Sequence, residues 1–242
     1  MIKLNISILL LFLFLSPTQV HAQSKQELQQ KSNSCFKEGN YKCAEKELKK
    51  LIEKDKNSNS TARYYSDLGT IQRRLGKNKD AIKSYDKAIK LDDSRAIFFT
   101  NRATLHMQLQ NFEQGNSDFE SAIKLEPDNW EIASDYATFK KRQGLLKEAL
   151  DDFKALIQNY PEELIFYNNR ADTYLRLGDH DSAFKDINYV LDKDPEYQVA
   201  IITKGEIFLD LDKTEEACSY FKLAIEKGFD ANRISYLLKR CE

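Results

Sequence analysis

Histidines and acidic residues are the side chains of this sequence that could carry out acid–base catalysis. His106 and His180 lie in separate segments, and the sequence shows no matched constellation of serine, cysteine or carboxylate around either; the third histidine, His21, belongs to the N-terminal segment. Aspartate and glutamate number 38, but they are spread through charged segments instead of forming an isolated pair. We therefore predict no catalytic residues, no cofactor and no enzyme activity.

Four cysteines could form disulfides, hold a metal ion or exchange electrons. They are Cys35, Cys43, Cys218 and Cys241. Zinc sites use short C-x2-C spacings with histidines nearby, and redox pairs use C-x-x-C; neither pattern occurs here, so we predict no metal site. An even number of cysteines in an exported chain favours disulfides, and four cysteines allow three pairings.

The first 22 residues have the pattern of a cleaved secretory signal peptide. A single Lys3 precedes an apolar run over residues 6–15, and the segment ends in Val20-His21-Ala22. The apolar run is much shorter than the roughly 20 residues that a membrane-spanning helix needs, which makes a retained anchor the weaker alternative. We predict a signal peptide over 1–22, no transmembrane segment after its cleavage, and export to the periplasm or the medium.

The charge pattern argues against nucleic acid as a partner. The chain has 37 basic and 38 acidic side chains, a net charge of −1, and the two signs alternate along nearly every segment. A nucleic-acid-binding protein usually presents a basic face that displaces counterions from phosphate. Alternating charge with few glycines and prolines is instead typical of solvated helix faces.

Two sets of residues recur every 34 positions along the chain. The small residues are Ala81, Gly115, Ala149, Ala183 and Ala217, and the bulky residues are Tyr85, Phe119, Phe153, Ile187 and Phe221. A fixed period of this length indicates a repeated supersecondary element that buries its apolar face by stacking on its neighbours.

The period divides the chain into six repeats, the first of them degenerate. Their predicted bounds are 25–58, 62–95, 96–129, 130–163, 164–197 and 198–228, followed by a capping helix over 229–242. Each repeat is predicted to form two antiparallel helices, since apolar residues recur at steps of three and four on both sides of a turn. Below, a place is a residue's position within its repeat, so that Ala62 and Ala96 both occupy place 1.

Several segments carry a resemblance to a known family. Asn101-Arg102-Ala103, the stretch from Gly76 to Ala81 and the stretch from Ala122 to Pro127 resemble the pattern of tetratricopeptide repeats. The resemblance implies an all-α fold, a right-handed α-solenoid of six helix-turn-helix repeats with a C-terminal capping helix. It also implies a non-enzymatic protein whose first helices line a concave groove for a peptide.

In such an array, position along the chain separates the three cysteine pairings. Cys35 and Cys43 flank the turn of the first repeat, while Cys218 lies on the last repeat helix and Cys241 on the capping helix. Either cross-pairing would join opposite ends of the array, so we predict Cys35–Cys43 and Cys218–Cys241. The spacing of the first pair also resembles that of Sel1-like repeats, whose hairpins are disulfide-bonded.

The resemblance implies which residues face the groove. Place 6 holds a polar column that can hydrogen-bond a peptide backbone, and place 13 holds arginines at one edge. The last two repeats add apolar residues with a polar rim. The predicted binding residues are Asn101, Asp135, Arg142, Ile165, Asn168, Asn169, Asp172, Arg176, Ile202, Thr203 and Glu206. Packing between helices is an equally good interpretation for several of them.

The sequence therefore predicts a protein–protein interaction scaffold that binds a protein or peptide of unknown identity in the cell envelope. Recognition of an envelope polysaccharide or lipid is the alternative from another class, although the groove places offer few aromatic rings on which a sugar could stack. Self-association through the repeats is a third possibility. No metal or cofactor is predicted for any of the three.

Overall fold

A computed structural model describes residues 17–56 and 58–241. Residues 1–16, with the apolar run of the predicted signal peptide, lie outside the described residues, as do Asn57 and Glu242. The described helices are α1 (Pro17–Lys37), α2 (Tyr41–Lys54), α3 (Thr61–Arg74), α4 (Asn78–Leu91), α5 (Ala96–Gln108), α6 (Phe112–Leu125), α7 (Trp130–Gln143), α8 (Leu146–Asn159), α9 (Leu164–Arg176), α10 (His180–Lys193), α11 (Gln198–Asp210), α12 (Thr214–Glu226) and α13 (Ser235–Leu238). A short 3-10 helix, Ala231–Ile234, precedes α13, and no strand occurs in the described part.

The described helices form two compact units, one that ends at Leu105 and one that begins at His106, with the boundary inside α5. In the first unit α1 packs on α2, α2 on α3 and α3 on α4. In the second unit consecutive helices from α6 to α12 pack on one another, and α9 also contacts both α7 and α11. The all-α fold class of stacked helix pairs is thus confirmed. Among the described residues, no helix combines the length and apolar character needed to cross a bilayer.

The 34-residue period corresponds to buried columns of side chains. The bulky residues at place 24 are fully buried in all five regular repeats: Tyr85, Phe119, Phe153, Ile187 and Phe221. At place 20, four of the five regular repeats have a fully buried alanine, and the repeat over 96–129 has Gly115 instead. A Cβ atom on Gly115 would lie 2.5 Å from the ring of Phe139, which explains the missing methyl group.

The turns between paired helices need a left-handed backbone residue. Glycine supplies it in four repeats, for example at Gly144 (φ 86°), where it caps the C-terminus of α7. In two other repeats, Gln110 (φ 59°) and Asp212 (φ 58°) adopt the same conformation without glycine. The helix-turn-helix geometry is therefore kept even where the turn glycine has been replaced.

The segment after α12 packs back onto the last repeat. Where the sequence predicts a single capping helix, the chain forms the 3-10 helix and the one-turn α13. Ile234 and Leu237 are buried in one cluster with Ile202 and Phe221. The segment therefore covers apolar surface that the last repeat would otherwise expose.

Both predicted cysteine pairs lie together in the structure. The sulfur atoms of Cys35 and Cys43 are at bonding distance, linking the end of α1 to the start of α2. Those of Cys218 and Cys241 are likewise at bonding distance, linking α12 to the end of the C-terminal segment. No free cysteine remains in the described part of the chain.

Candidate protein-binding face

The first helices of three consecutive repeats in the second unit, α7, α9 and α11, present an accessible surface. Ile165 and Val199, both at place 2 of their repeats, are 43% and 46% exposed, and they lie on neighbouring first helices that pack on each other. Asp135 and Asn169, both at place 6, lie on the same set of helices. We call the surface formed by Asp135, Ile165, Asn169 and Val199 the first-helix face.

The two polar members of this face keep free hydrogen-bonding capacity. Asn169 donates and accepts no side-chain hydrogen bond within the described residues, and Asp135 has no cation within 4.0 Å there. Partial burial, together with the carboxylate of Glu131, raises the pKa of Asp135 above its ordinary value. A backbone amide of a bound peptide could therefore donate to Asp135 and pair with the amide of Asn169.

The structure corrects the prediction for Ile202. This residue was expected in the groove, but it is only 7% exposed and belongs to the core cluster of the last repeat. Ile234 and Leu237 of the C-terminal segment lie in the same cluster and remove Ile202 from solvent. Ile202 therefore stabilises the fold and is not available to a ligand.

Three predicted polar contacts are also used within the fold. Thr203 Oγ donates to Asn168 Oδ1 at 3.3 Å, and both side chains are buried between α9 and α11. In the first unit Asn101 Nδ2 donates to Ser66 Oγ at 3.1 Å. These bonds join place 6 of one repeat to place 5 of the preceding one. Asn101, Asn168 and Thr203 thus connect neighbouring first helices.

Asp172 is the centre of an ion-pair network. Its carboxylate lies 2.7 Å from Lys141 Nζ and 3.1 Å from Arg176 Nε. Burial alone would raise the pKa of Asp172, but these two cations lower it below its ordinary value. Arg142 is exposed and forms no ion pair among the described residues. Of the predicted arginines, Arg142 alone is therefore unengaged.

Lys141 was not among the predicted residues, although the sequence contains a signal for it. It occupies place 12, which holds Leu175 and Leu209 in the next two repeats, and it is almost fully buried. A buried cation at a place that is apolar in the two following repeats needs a partner, because an unpaired buried charge is costly. The compensating carboxylate is Asp172 of the next repeat.

Glu206 lies in a shallow pocket of about 350 Å³ whose lining includes Asp172, Arg176 and Leu237. The hydroxyl of Tyr236 donates to Glu206 Oε1 at 3.3 Å, a contact made by the C-terminal segment that the repeat pattern does not predict. Burial and the nearby Asp172 carboxylate raise the pKa of Glu206. Within the described residues, no group of three or more His, Cys, Asp or Glu side chains is placed to hold a metal ion.

Sequence comparisons identify the repeats. Two family models described as tetratricopeptide repeat match the chain, one over residues 100–161 and 140–198 and the other over 62–95 and 200–226. Together they match well over half of the chain. No curated protein matches the sequence.

Solved structures share the fold. A tetratricopeptide repeat protein from Parabacteroides merdae ATCC 43184 is 26% identical, with a TM-score of 0.53 over 90% of this chain and 99% of that chain. PilW, a type IV pilus biogenesis factor, is 20% identical, with a TM-score of 0.61 over 76% and 88% of the two chains. YrrB, described as having an unusual peptide-binding site, is 19% identical, with a TM-score of 0.50 over 79% and 97%.

The matches to the family models, the buried side chains at places 20 and 24 and the packing of consecutive helices all indicate tetratricopeptide repeats. Proteins built from these repeats are in general non-enzymatic scaffolds for protein–protein interactions, and the findings support that general role. The chain belongs to the tetratricopeptide repeat family.

Proposed function

We propose that this protein is an exported, non-enzymatic scaffold that binds a protein or peptide on its first-helix face. The observation that carries the proposal is the pair Ile165 and Val199, two exposed aliphatic side chains at the same place of neighbouring repeats. They lie on packed helices that also carry Asp135 and Asn169, whose side chains are unbonded in the described part of the chain. Aliphatic anchors beside polar groups are the usual composition of a protein-binding surface.

Two features support export. The first 22 residues have the pattern of a secretory signal peptide. All four cysteines are paired at disulfide distance, and such bonds form and persist in oxidising compartments outside the cytosol. Export to the periplasm or the medium is therefore part of the proposal, and fractionation with an antibody against the chain would test it directly.

YrrB, described as having an unusual peptide-binding site, shares the fold of this chain. The surface of this chain supplies the chemical reason to propose peptide binding. Asp135 and Asn169 offer an acceptor and an amide at the spacing of adjacent repeats, so they could follow the backbone of an extended segment. Ile165 and Val199 would then contact alternate side chains of the partner.

The test is capture of partners from an extract of cell-envelope proteins, read by mass spectrometry. The parent is compared with an Ile165→Asp/Val199→Asp variant, which places two charges on the first-helix face without entering the core. Ile97→Asp is the matched control, because Ile97 occupies place 2 of its own repeat and is 55% exposed, but lies in the first unit. A protein captured by the parent and by the control, but lost by the double variant, supports the proposal.

Other outcomes point to other functions. Equal capture by all three proteins would mean that the partner binds elsewhere. Capture of no protein, with retention of envelope polysaccharide or lipid, would favour the recognition of those molecules. A mass that grows with concentration in light scattering, and that the double variant abolishes, would indicate a second copy of this chain as the partner.

A further inference from the structure

We infer that a pocket in the first repeat binds one neutral apolar side chain of a partner peptide, with the adjoining peptide backbone on the pocket's rim. This inference rests on the proposed protein-binding function and adds a second contact in the first unit. The pocket lies between α1, α2 and α3 and has a volume of about 170 Å³. Its walls and floor include Phe36, Leu48 and Ile71, and its rim includes Asn33 and Asp67.

The floor of the pocket is apolar in effect, because its hydroxyl groups are already bonded. Leu48 and Ile71 belong to the buried core of the first unit. Ser32 Oγ donates to the carbonyl oxygen of Ala44 at 3.1 Å, and Thr70 Oγ is hydrogen-bonded to the hydroxyl of Tyr85 at 3.1 Å. A ligand carbonyl or carboxylate group would find no free hydroxyl donor at this depth and would lose its hydration. The floor therefore favours a hydrocarbon group.

The rim has the opposite character. The side-chain amides of Gln29 and Asn33 make no hydrogen bond within the described residues. Within the described residues the ionic partner of Asp67 is Arg63, at 3.8 Å, and both side chains remain partly exposed. Partial desolvation of its carboxyl group raises the pKa of Asp67. Free amides together with a carboxylate can accept and donate to the N–H and C=O groups of a peptide.

Charge complementarity selects a neutral occupant. Arg63 and Asp67 are the charged residues that line the pocket, and their charges offset each other. A lysine or arginine side chain would gain one attraction and one repulsion at the rim while losing water around its charge. A neutral apolar side chain has no charge to desolvate and would contact the apolar side chains at the bottom of the pocket.

The volume limits the size of that side chain. An engineered apolar cavity of about 150 Å³ holds one benzene molecule. A pocket of about 170 Å³ therefore suits the side chain of leucine, isoleucine, methionine or phenylalanine, and is small for an indole ring.

The first disulfide holds the exposed wall of the pocket. Phe36 follows Cys35, which is bonded to Cys43 across the turn, and its ring contacts that of Tyr41 edge-on at 5.5 Å. Phe36 is 36% exposed, so one side of the ring remains open to a ligand. The bond and the ring contact fix the wall without filling the cavity.

The experiment is an amide NMR titration of the oxidised, isotope-labelled protein with N-acetyl-leucinamide, N-acetyl-lysinamide and N-acetyl-tryptophanamide. We expect saturable shifts of the backbone amides of Asn33, Phe36 and Ile71 with the leucine compound, and at least about threefold weaker responses with the other two. Phe36→Ala should weaken the leucine response about threefold or more. Leu145→Ala, an exposed apolar residue in a turn of the second unit, should leave it unchanged.

Three results would overturn the inference: equal responses to the leucine and lysine compounds, no response at the pocket, or a leucine response that Phe36→Ala does not weaken. If Phe36→Ala does not fold, as judged by circular dichroism, the rim variant Asn33→Ala is read in its place. The double variant of the capture experiment changes residues of the second unit alone, and its control Ile97 does not line the pocket. A silent pocket with successful capture would therefore overturn this inference only, and a responsive pocket with failed capture would count against the proposed first-helix face.

Discussion

Truncation to alanine should lower the stability of the protein at Ile202 and leave it nearly unchanged at Ile165, although both isoleucines lie on first helices of the last two repeats. Ile202 is 7% exposed and packs with Phe221, Ile234 and Leu237, whereas Ile165 is 43% exposed. Ile202→Ala removes buried methyl and methylene groups and leaves a cavity, at a cost of about 3 kcal/mol in the free energy of unfolding. The cavity should collapse poorly, because the disulfide to Cys241 restrains the segment above it. Ile165→Ala should change that free energy by no more than about 0.5 kcal/mol.

The assay is thermal unfolding of both variants and the parent under oxidising conditions. For a chain of this size, a loss of about 3 kcal/mol corresponds to a fall of roughly 6 to 12 °C in Tm. Ile202→Ala should show that fall, and Ile165→Ala should unfold within about 2 °C of the parent. Equal shifts for the two variants would refute the reasoning, since they would mean that the C-terminal segment does not cover Ile202.

Three further predictions concern packing, the second disulfide and pH. Gly115→Ala should destabilise the protein by about 1 to 3 kcal/mol in a urea titration, because the added methyl group would overlap the ring of Phe139. Cys241→Ser removes the disulfide to Cys218, which closes a loop across a separation of 23 residues, and should lower the free energy of unfolding by about 3.5 kcal/mol. Differential scanning calorimetry of the variant and the parent measures this loss. Reduction should then lower the Tm of the variant by less than it lowers the Tm of the parent. Burial raises the pKa of Glu206 above its reference of 4.5, so this carboxyl group stays protonated to a higher pH in the folded state than in the unfolded state. The folded state therefore loses stability as pH rises from 4.5 through the raised pKa. Glu206→Gln should therefore unfold with a higher free energy than the parent at neutral pH, the two values converging below pH 4.5, and a gap that is unchanged across this range would contradict the assignment.

The repeat period predicted the parts of the fold that recur. Tyr85, Phe153 and Phe221 are all fully buried, because residues 34 positions apart occupy the same environment in a stack of identical helix pairs. The cysteine pairing could also be predicted, since position along the array left one arrangement in which bonded residues are neighbours. The positions of the cysteines in the sequence and the stacking of consecutive repeats therefore favour the same disulfide pairing.

The candidate site was harder to predict, because a groove place does not by itself determine exposure. Ile202 is covered by Leu237, which lies outside the repeats and so has no periodic signal. Polar residues at places 5 and 6 suit hydrogen bonds between helices as well as bonds to a peptide, and Thr203 makes the former with Asn168. Only the three-dimensional packing separates these uses. Ile165 and Asn169, in contrast, remain accessible as expected from their places.

The most direct test of the central proposal is hydrogen exchange of the protein alone and in complex with the partner recovered by capture. If the partner binds the first-helix face, peptides covering α7, α9 and the start of α11 should exchange more slowly in the complex, with the largest change around Ile165 and Asn169. The second helices α8 and α10 should change little. Slower exchange confined to α8, α10 or the C-terminal segment would contradict the account, because it would place the partner away from the first-helix face.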